Sequence, residues 1–199
     1  MSDSEIRRRP GGRAARVRKA VLDAAVEALV EGGTTRFSIA DVAQRAGVNE
    51  TSVYRRWRTR ENLLVDTMLT ASDQHIPVPD TGSVRGDLRA FATLVATYLA
   101  DPLGAALARA AVLTVDDPET AEARERFWRT RIELAAVMIE RGIARGELRP
   151  TTDPRVTLEA LIAPLHSRVL MTRTPLPDDL PHALADLVLD GVAAPEKGL

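Results

Sequence analysis

Apolar residues recur along this chain at spacings of three and four, the period of an α-helix that is buried on one face. The first such stripe includes Val17, Val21 and Ala28 and predicts a helix over residues 14–31. A glycine pair beginning at Gly32 ends it, because glycine readily adopts the left-handed conformation that follows many helices. No segment shows the strict alternation of a half-buried strand. The pattern therefore predicts an all-α fold.

The same pattern, together with helix-capping residues, predicts about nine helices and one break. The predicted helices cover residues 14–31, 38–46, 49–57, 60–72, 83–100, 104–115, 117–141, 153–172 and 181–191. Residues 73–82 are rich in turn-forming residues and lack helical periodicity. We therefore expect a basic arm at 1–13, a first domain at 14–74 and a second domain at 75–199.

The charges divide near the same place. Overall the 199 residues carry 27 Lys and Arg against 28 Asp and Glu. Residues 1–70 contain 13 basic and 9 acidic side chains, whereas residues 71–199 contain 14 basic and 19 acidic ones. A net charge of +4 on the first part and −5 on the second favours two roles on one chain, with the first part facing a polyanion, and chance clustering of surface charge is the alternative.

The sequence lacks the residues and motifs that several classes of function require. There is no cysteine, so disulfides, thiolate nucleophiles and zinc knuckles are excluded. His75, His166 and His182 are far apart and lack metal-ligand spacing, so we expect no metal and no cofactor. Glycine-rich phosphate loops and nucleophile elbows are absent, which argues against an enzyme. No apolar run suits a membrane span or signal peptide, so we expect a cytoplasmic protein.

Residues 38–57 have the pattern of a helix-turn-helix, two short helices joined by a tight turn at Gly47. The second helix opens with four short polar side chains, a tip that fits the DNA major groove and presents donors and acceptors to base edges. These residues are Asn49, Glu50, Thr51 and Ser52. Tyr54 and Arg55 follow, where they suit contacts to phosphates, and Trp57 is expected to pack back as an apolar anchor. An ordinary helical hairpin in an all-α core is the alternative.

The order of these residues resembles the tetracycline-repressor (TetR) family of bacterial transcription regulators. The resemblance covers about residues 14–68 and rests on Phe37-Ser38-Ile39-Ala40-Asp41-Val42-Ala43, Ala46-Gly47-Val48-Asn49, Tyr54, Trp57, Arg60, Glu61 and Leu63. It implies a three-helix DNA-binding head and a helical body that binds a ligand and dimerises. It also implies that Ser38, Tyr54 and Arg60 contact phosphates while the polar tip from Asn49 to Ser52 faces the bases.

Three positions depart from the family pattern. Thr51 stands where glycine is frequent, and Trp57 replaces a usual phenylalanine. Glu50 puts an acid at the reading tip, where it can accept a hydrogen bond from a cytosine amino group but weakens attraction to phosphates. The base sequence that is read is therefore not predicted.

In the second domain, aromatic residues and a proline-interrupted helix are candidates for a small-molecule pocket. Pro164 lies within an apolar helix and is expected to bend it near His166. The candidate lining residues are Tyr98, Trp128, Met138 and His166, with ordinary core packing as the alternative.

The last two predicted helices carry wide apolar seams, which the resemblance implies form a four-helix dimer interface. The seam residues are Leu158, Leu161, Leu165, Leu184, Leu187 and Val188. We expect a ligand-responsive homodimeric regulator, most simply a repressor, on a palindromic operator in double-stranded DNA. Two alternatives stay open: a DNA-binding regulator with no inducer, and a helical small-molecule-binding or interaction protein that binds no operator. The basic arm either touches DNA or is merely a soluble tail.

Overall fold

The computed structural model describes residues 11–112 and 118–192, and over these ranges the all-α prediction is confirmed. The helices are α1 (Gly11–Arg36), α2 (Ile39–Arg45), α3 (Glu50–Trp57), α4 (Arg60–His75), α5 (Val84–Ala100), α6 (Pro102–Val112), α7 (Pro118–Ala144), α8 (Pro154–Ser167) and α9 (Leu180–Val192). A π-helical turn, Arg168–Thr172, follows α8 directly. Most of the predicted N-terminal arm lies outside the described residues.

Helix starts follow the capping side chains that the sequence offers. Ser38 Oγ accepts from the Asp41 N–H at 3.2 Å, and Asn49 Oδ1 accepts from the Thr51 N–H at 2.8 Å. Thr59 Oγ1 accepts from the Asn62 N–H at 3.1 Å. These bonds satisfy amide groups that have no partner within the first helical turn, which is why the predicted starts of α2, α3 and α4 agree with the structure.

Among the predicted boundaries that differ from the structure, two have clear local causes. Helix α6 begins at Pro102 rather than residue 104, because Asp101 Oδ1 accepts from the Leu103 N–H at 2.8 Å. The predicted helix over 153–172 changes to π-helical geometry at Arg168, four residues after Pro164. A proline in a helix removes a backbone hydrogen bond, and π-helical turns accommodate such interruptions.

The helices form a head and a body joined by α4. In the head, α1, α2 and α3 surround an apolar core that includes Val21, Val42 and Val53. Helix α4 packs on α1 in the head and on α7 in the body. In the body, α5 packs on α9, and α7 packs on α8, around a second core. Two body residues, Leu107 and Phe127, belong to the core of the head.

A buried carboxylate fixes the connection between α4 and α5. Asp87 is fully buried, and its Oδ1 accepts from the Thr81 N–H at 2.6 Å and the Thr81 hydroxyl at 2.8 Å. Arg141 on α7 pairs with Asp80 at 2.7 Å and lies 3.6 Å from Asp87 Oδ2. The segment predicted as a domain boundary is therefore held against α7.

Among the described residues, no single helix is long and apolar enough to cross a membrane, although α5 and the first turns of α6, bent by 90°, pass that test as a pair. The bend coincides with a close approach of the two helices. A Cβ added to Gly104 would lie 1.8 Å from the Tyr98 carbonyl oxygen. Only glycine fits there without moving backbone.

Candidate DNA-binding surface and ligand cavity

The turn between α2 and α3 has the geometry of a helix-turn-helix. Gly47 has a φ of 64°, a left-handed conformation that side chains with a Cβ rarely adopt. The Val48 N–H donates to the Ala43 carbonyl at 3.0 Å and closes the turn. Val53 is fully buried on the inner face of α3, so the opposite face of this eight-residue helix is left to solvent.

The predicted reading tip lies at the N-terminal end of α3. Asn49, Glu50 and Thr51 are exposed, and Ser52 is half-buried. Asn49 uses its Oδ1 to cap α3, which leaves its amide group as a hydrogen-bond donor for another partner. Four short polar side chains are thereby gathered at the N-terminal end of α3.

Tyr54 and Arg55 lie further along the exposed surface of α3. Tyr54 is 49% exposed, a large fraction for an aromatic residue. Ser38 is half-buried at the start of α2, where its Oγ caps the helix. Tyr54 and Arg55 are exposed and Ser38 is half-buried, and the contact of all three with phosphates stays a prediction.

Arg60 has an internal role instead of a free guanidinium. Its Nε donates to the Phe37 carbonyl at 2.8 Å, and its Nη2 donates to the Thr34 carbonyl. Its Nη1 pairs with Glu61 at 3.0 Å. The side chain therefore braces the start of α4 against the end of α1, a contact that no local sequence pattern indicates.

Trp57 is the apolar anchor that the sequence predicted, and it also makes a polar link. The residue is 6% exposed, and its indole Nε1 donates to Asp66 Oδ2 on α4 at 2.8 Å. Asp66 Oδ1 pairs with Arg18 on α1 at 2.6 Å. Asp66 thus ties three helices together. The signal in the sequence was a tryptophan, which carries an N–H donor, where the family usually has phenylalanine.

Arg58 joins α3 to α4 in a strained conformation. Its φ of 65° and ψ of −47°, with the Thr59 N–H donating to the Trp57 carbonyl at 2.7 Å, define a γ-turn of the rare class with positive φ. The side chain is exposed. Arg58 belongs to the arginine cluster 55–60 that the sequence marks as suited to phosphates, and in this conformation at the end of the reading helix it is a candidate DNA contact.

The body contains a small cavity of about 60 Å³ between α4, α5, α6, α7 and α8. Seven polar or aromatic side chains contribute to its wall: Ser72, Phe91, Tyr98, Phe127, Trp128, Arg131 and His166. Apolar residues, including Met68 of α4, form the rest. A second pocket of about 420 Å³ opens to the surface and shares Trp128, Ile132, Ile162 and His166 with the first. The two spaces therefore adjoin at Trp128 and His166.

Burial shapes the ionisation of the cavity wall. It raises the pKa of the Tyr98 phenol to about 12 and lowers the pKa of His166, so both groups are neutral near pH 7. The rings of Trp128 and His166 meet edge to face, with centroids 5.2 Å apart. His166 Nδ1 lies 3.0 Å from the Ile162 carbonyl, a geometry in which Nδ1 carries the proton and donates it.

Three of the four predicted pocket residues, Tyr98, Trp128 and His166, line the cavity, and Met138 does not. Met138 is fully buried in the body core. It lies on the same face of α7 as Arg131 but two helical turns, about 10 Å, further along. Periodicity identified the face of α7, and only the packing of α4 shows how far along that face the cavity extends.

The residues of the predicted dimer seam fall into a buried group on α8 and a more exposed group on α9. Leu158, Leu161 and Leu165 are fully buried within the protomer, so their assignment to an interface surface was wrong. These residues cover the body core, which needs the most apolar face of α8. By contrast, Leu187 on α9 is 70% exposed, and Leu184 and Val188 are half-buried beside it. The outer face of α8 presents Val156 (61% exposed), Ala160 and Ala163.

A helix-turn-helix head on a helical body that contains a cavity defines a helical DNA-binding regulator. Residues 21–67 match the family described as bacterial regulatory proteins, tetR family, and residues 78–188 match the tetracyclin repressor-like C-terminal domain. The chain belongs to the TetR family. It is a DNA-binding transcriptional regulator of the helix-turn-helix type.

Individual relatives agree with this assignment along most of the chain. The HTH-type transcriptional regulator AqdR of Rhodococcus erythropolis is 42% identical over 90% of this chain and 86% of its own length. YdeS of Bacillus subtilis (strain 168), another HTH-type regulator, is 31% identical over 88% of this chain and 89% of its own length. The crystal structure of the TetR family regulator SCO0332 superposes with a TM-score of 0.75, at 30% identity over 89% of this chain and 98% of that one.

Proposed function

We propose that the protein is a cytoplasmic repressor that binds a palindromic operator as a homodimer and is released by a small molecule. One observation carries this proposal. Helix α4 contributes Met68 and Ser72 to the cavity wall and, through Asp66, holds Trp57 of the reading helix. A ligand that alters the position of α4 therefore alters the position of α3.

The exposed residues of α2 and α3 supply the DNA contacts in this proposal. Asn49, Glu50, Thr51 and Ser52 face base edges in the major groove, while Ser38, Tyr54 and Arg55 contact phosphates. Arg60 acts through the bonds that brace α4, since its guanidinium is already engaged. Two heads reach successive major grooves of the duplex, about 34–36 Å apart.

The outer faces of α8 and α9 supply the dimer contact. Val156 and Leu187 are large apolar side chains that remain mostly exposed on this surface, and Ala160 and Ala163 allow close helix approach. Apolar patches of this kind are typical of surfaces that bind a partner, and a symmetric pair of such faces yields a closed dimer.

Selection of bound duplexes from random DNA, followed by fluorescence anisotropy titrations, tests the DNA-binding part. We expect a palindrome. Tyr54→Phe should weaken operator binding about fivefold, the effect of one lost hydrogen bond of about 1 kcal/mol. The other tyrosine in the chain offers a matched control, because Tyr98 lies in the cavity wall. Equal effects of Tyr54→Phe and Tyr98→Phe contradict the proposed contact.

A regulator without an inducer is favoured by one observation, the size of the inner cavity. Its volume of about 60 Å³ is far below the roughly 300–1,000 Å³ of pockets that hold drug-sized ligands. The two functions differ in the behaviour of the adjoining pocket. Ligand-dependent release of the operator, and its loss when Trp128 is replaced by alanine, supports the ligand-released repressor.

A further inference from the structure

Arg131 lies between the inner cavity and the C-terminal end of α4. The residue is 7% exposed and lines the cavity. Its Nη1 donates to Asp73 Oδ1 at 2.7 Å, and its Nη2 donates to the Ile76 carbonyl at 3.1 Å. One guanidinium on α7 thus holds the last turn of α4 and contributes to the wall of a cavity.

We propose that Arg131 binds a carboxylate of the ligand, and that this carboxylate replaces Asp73 as the partner of the guanidinium. This inference rests on the proposed ligand-released function and specifies the chemistry of the ligand. The ligand combines one carboxylate with an apolar, flat body. When it binds, the ion pair between α7 and α4 is lost, and the bond from Arg131 to the Ile76 carbonyl alone remains at the end of α4.

The two adjoining spaces fit the two parts of such a ligand. The inner cavity of about 60 Å³ has room for a small polar group such as a carboxylate but not for a ring system. The outer pocket of about 420 Å³ is bordered by Trp128, Ile162, Leu170 and Met171, so it suits an apolar ring system. A ligand that enters through the outer pocket passes Trp128 and His166 and reaches the inner cavity with its polar end.

The charges around Arg131 favour an anion. Asp73 is its carboxylate partner, and the Asp73 side chain is 58% exposed, so water weakens that pairing. Burial lowers the pKa of Arg131, which shows that the surroundings compensate its charge incompletely. An amine is repelled by this guanidinium, and a neutral acceptor competes poorly with a carboxylate for it. Glu159, at the rim of the outer pocket, is paired with Arg155 at 2.8 Å.

The pairing at Asp73 is positioned to affect the head. Asp66 and Asp73 are seven residues apart on α4, so both carboxylates lie on the same face, two turns from each other. Asp66 holds Trp57 and Asp73 holds Arg131. Loss of the second contact therefore loosens one end of the helix whose other end positions α3.

Isothermal titration calorimetry with the full chain tests the inference with two matched probes, 2-naphthoate and 2-naphthamide. These share their ring system and differ in the charge of one group. We expect the wild-type protein to bind 2-naphthoate at least tenfold more tightly than 2-naphthamide. Arg131→Gln should abolish that preference, whereas Asp73→Asn should increase affinity for 2-naphthoate at least threefold because the competing carboxylate is gone.

Arg129→Gln is the matched control, since Arg129 is an exposed arginine of the same helix paired with Glu125. It should bind both probes as the wild type does. The opposite signs expected at Arg131 and Asp73 separate ligand binding from structural support, because a structural ion pair would be weakened alike by either change. If Arg131→Gln does not fold, the affinity of Asp73→Asn for 2-naphthoate still tests the inference. Equal binding of the two probes by the wild type, or weaker 2-naphthoate binding by Asp73→Asn, overturns the inference.

Operator release is measured separately by anisotropy, so the two proposals fail in different ways. Carboxylate-selective binding without release of the operator contradicts the ligand-released function but supports the carboxylate site at Arg131. Release of the operator by both probes alike supports the function and contradicts the site.

Discussion

Replacing Trp57 by phenylalanine tests how the reading helix is held on α4. The change removes the indole N–H that donates to Asp66 Oδ2 at 2.8 Å and shortens a ring that is 6% exposed. The phenyl ring keeps an aromatic side chain in the head core. Trp128 then becomes the single tryptophan of the chain and reports on the cavity by fluorescence.

The expected loss of stability is about 2–3 kcal/mol. A hydrogen bond to a charged group contributes about 1.5–3 kcal/mol, and we take the lower end because the Asp66 side chain is 30% exposed and keeps Arg18 as a partner. The smaller ring removes further apolar burial, which costs about 1 kcal/mol. Operator affinity should fall as well, because α3 loses its polar attachment to α4.

A double-mutant cycle isolates the hydrogen bond from the loss of ring volume. Urea unfolding of Trp57→Phe, Asp66→Ala and the double variant should give a coupling energy of about 1–2 kcal/mol. The two single losses should not add, since each already breaks the same contact. A coupling energy below about 0.3 kcal/mol would falsify the role given to this bond.

Three further predictions concern other parts of the molecule. Arg58→Gly should raise the free energy of unfolding by about 1 kcal/mol, because glycine adopts the positive φ without strain. The same change removes a positive charge and should weaken DNA binding at low salt. An unchanged free energy of unfolding in urea contradicts the strain assigned to Arg58. Burial lowers the pKa of His166, so the unfolded state binds the extra proton first and the wild type should lose stability as the pH falls below 6.5. The melting temperature of His166→Gln should therefore depend less on pH between about pH 7 and pH 5 than that of the wild type. Leu187→Arg should weaken self-association in analytical ultracentrifugation and leave protomer stability unchanged, whereas Leu161→Ala should cost about 2–5 kcal/mol in unfolding; the reverse result contradicts the assigned faces.

Local signals predicted the fold well, because the features that end and begin helices act over a few residues. Ser38, Asn49 and Thr59 cap the helices that they were expected to cap. The glycine pair after the first stripe interrupts the helix at Gly33, which has a φ of 60°, but helical residues resume beyond it and α1 continues to Arg36 instead of ending at residue 31. The assignment to the TetR family likewise followed from residues within one short segment.

Contacts between distant residues were beyond local reasoning. Arg60 was expected to face a phosphate, but the carbonyl groups that hold it belong to residues 23 and 26 positions earlier. The buried seam of Leu158, Leu161 and Leu165 has the same period as an interface seam, so only the packing of α5 and α7 distinguishes them. The role of Arg131 depends on where α4 ends relative to α7, which no pattern within either helix contains.

The shared core of head and body limits how this protein can be taken apart. Leu107 and Phe127 come from the body yet pack among the apolar side chains of the head. A head cut after α4 would expose the surface that these two residues cover, so we expect the isolated fragment to unfold more readily than it does in the whole chain. For the same reason, a chimera that grafts this head onto a relative's body requires compatible side chains at both positions. The reading surface is exchangeable only together with the part of the body that completes its core.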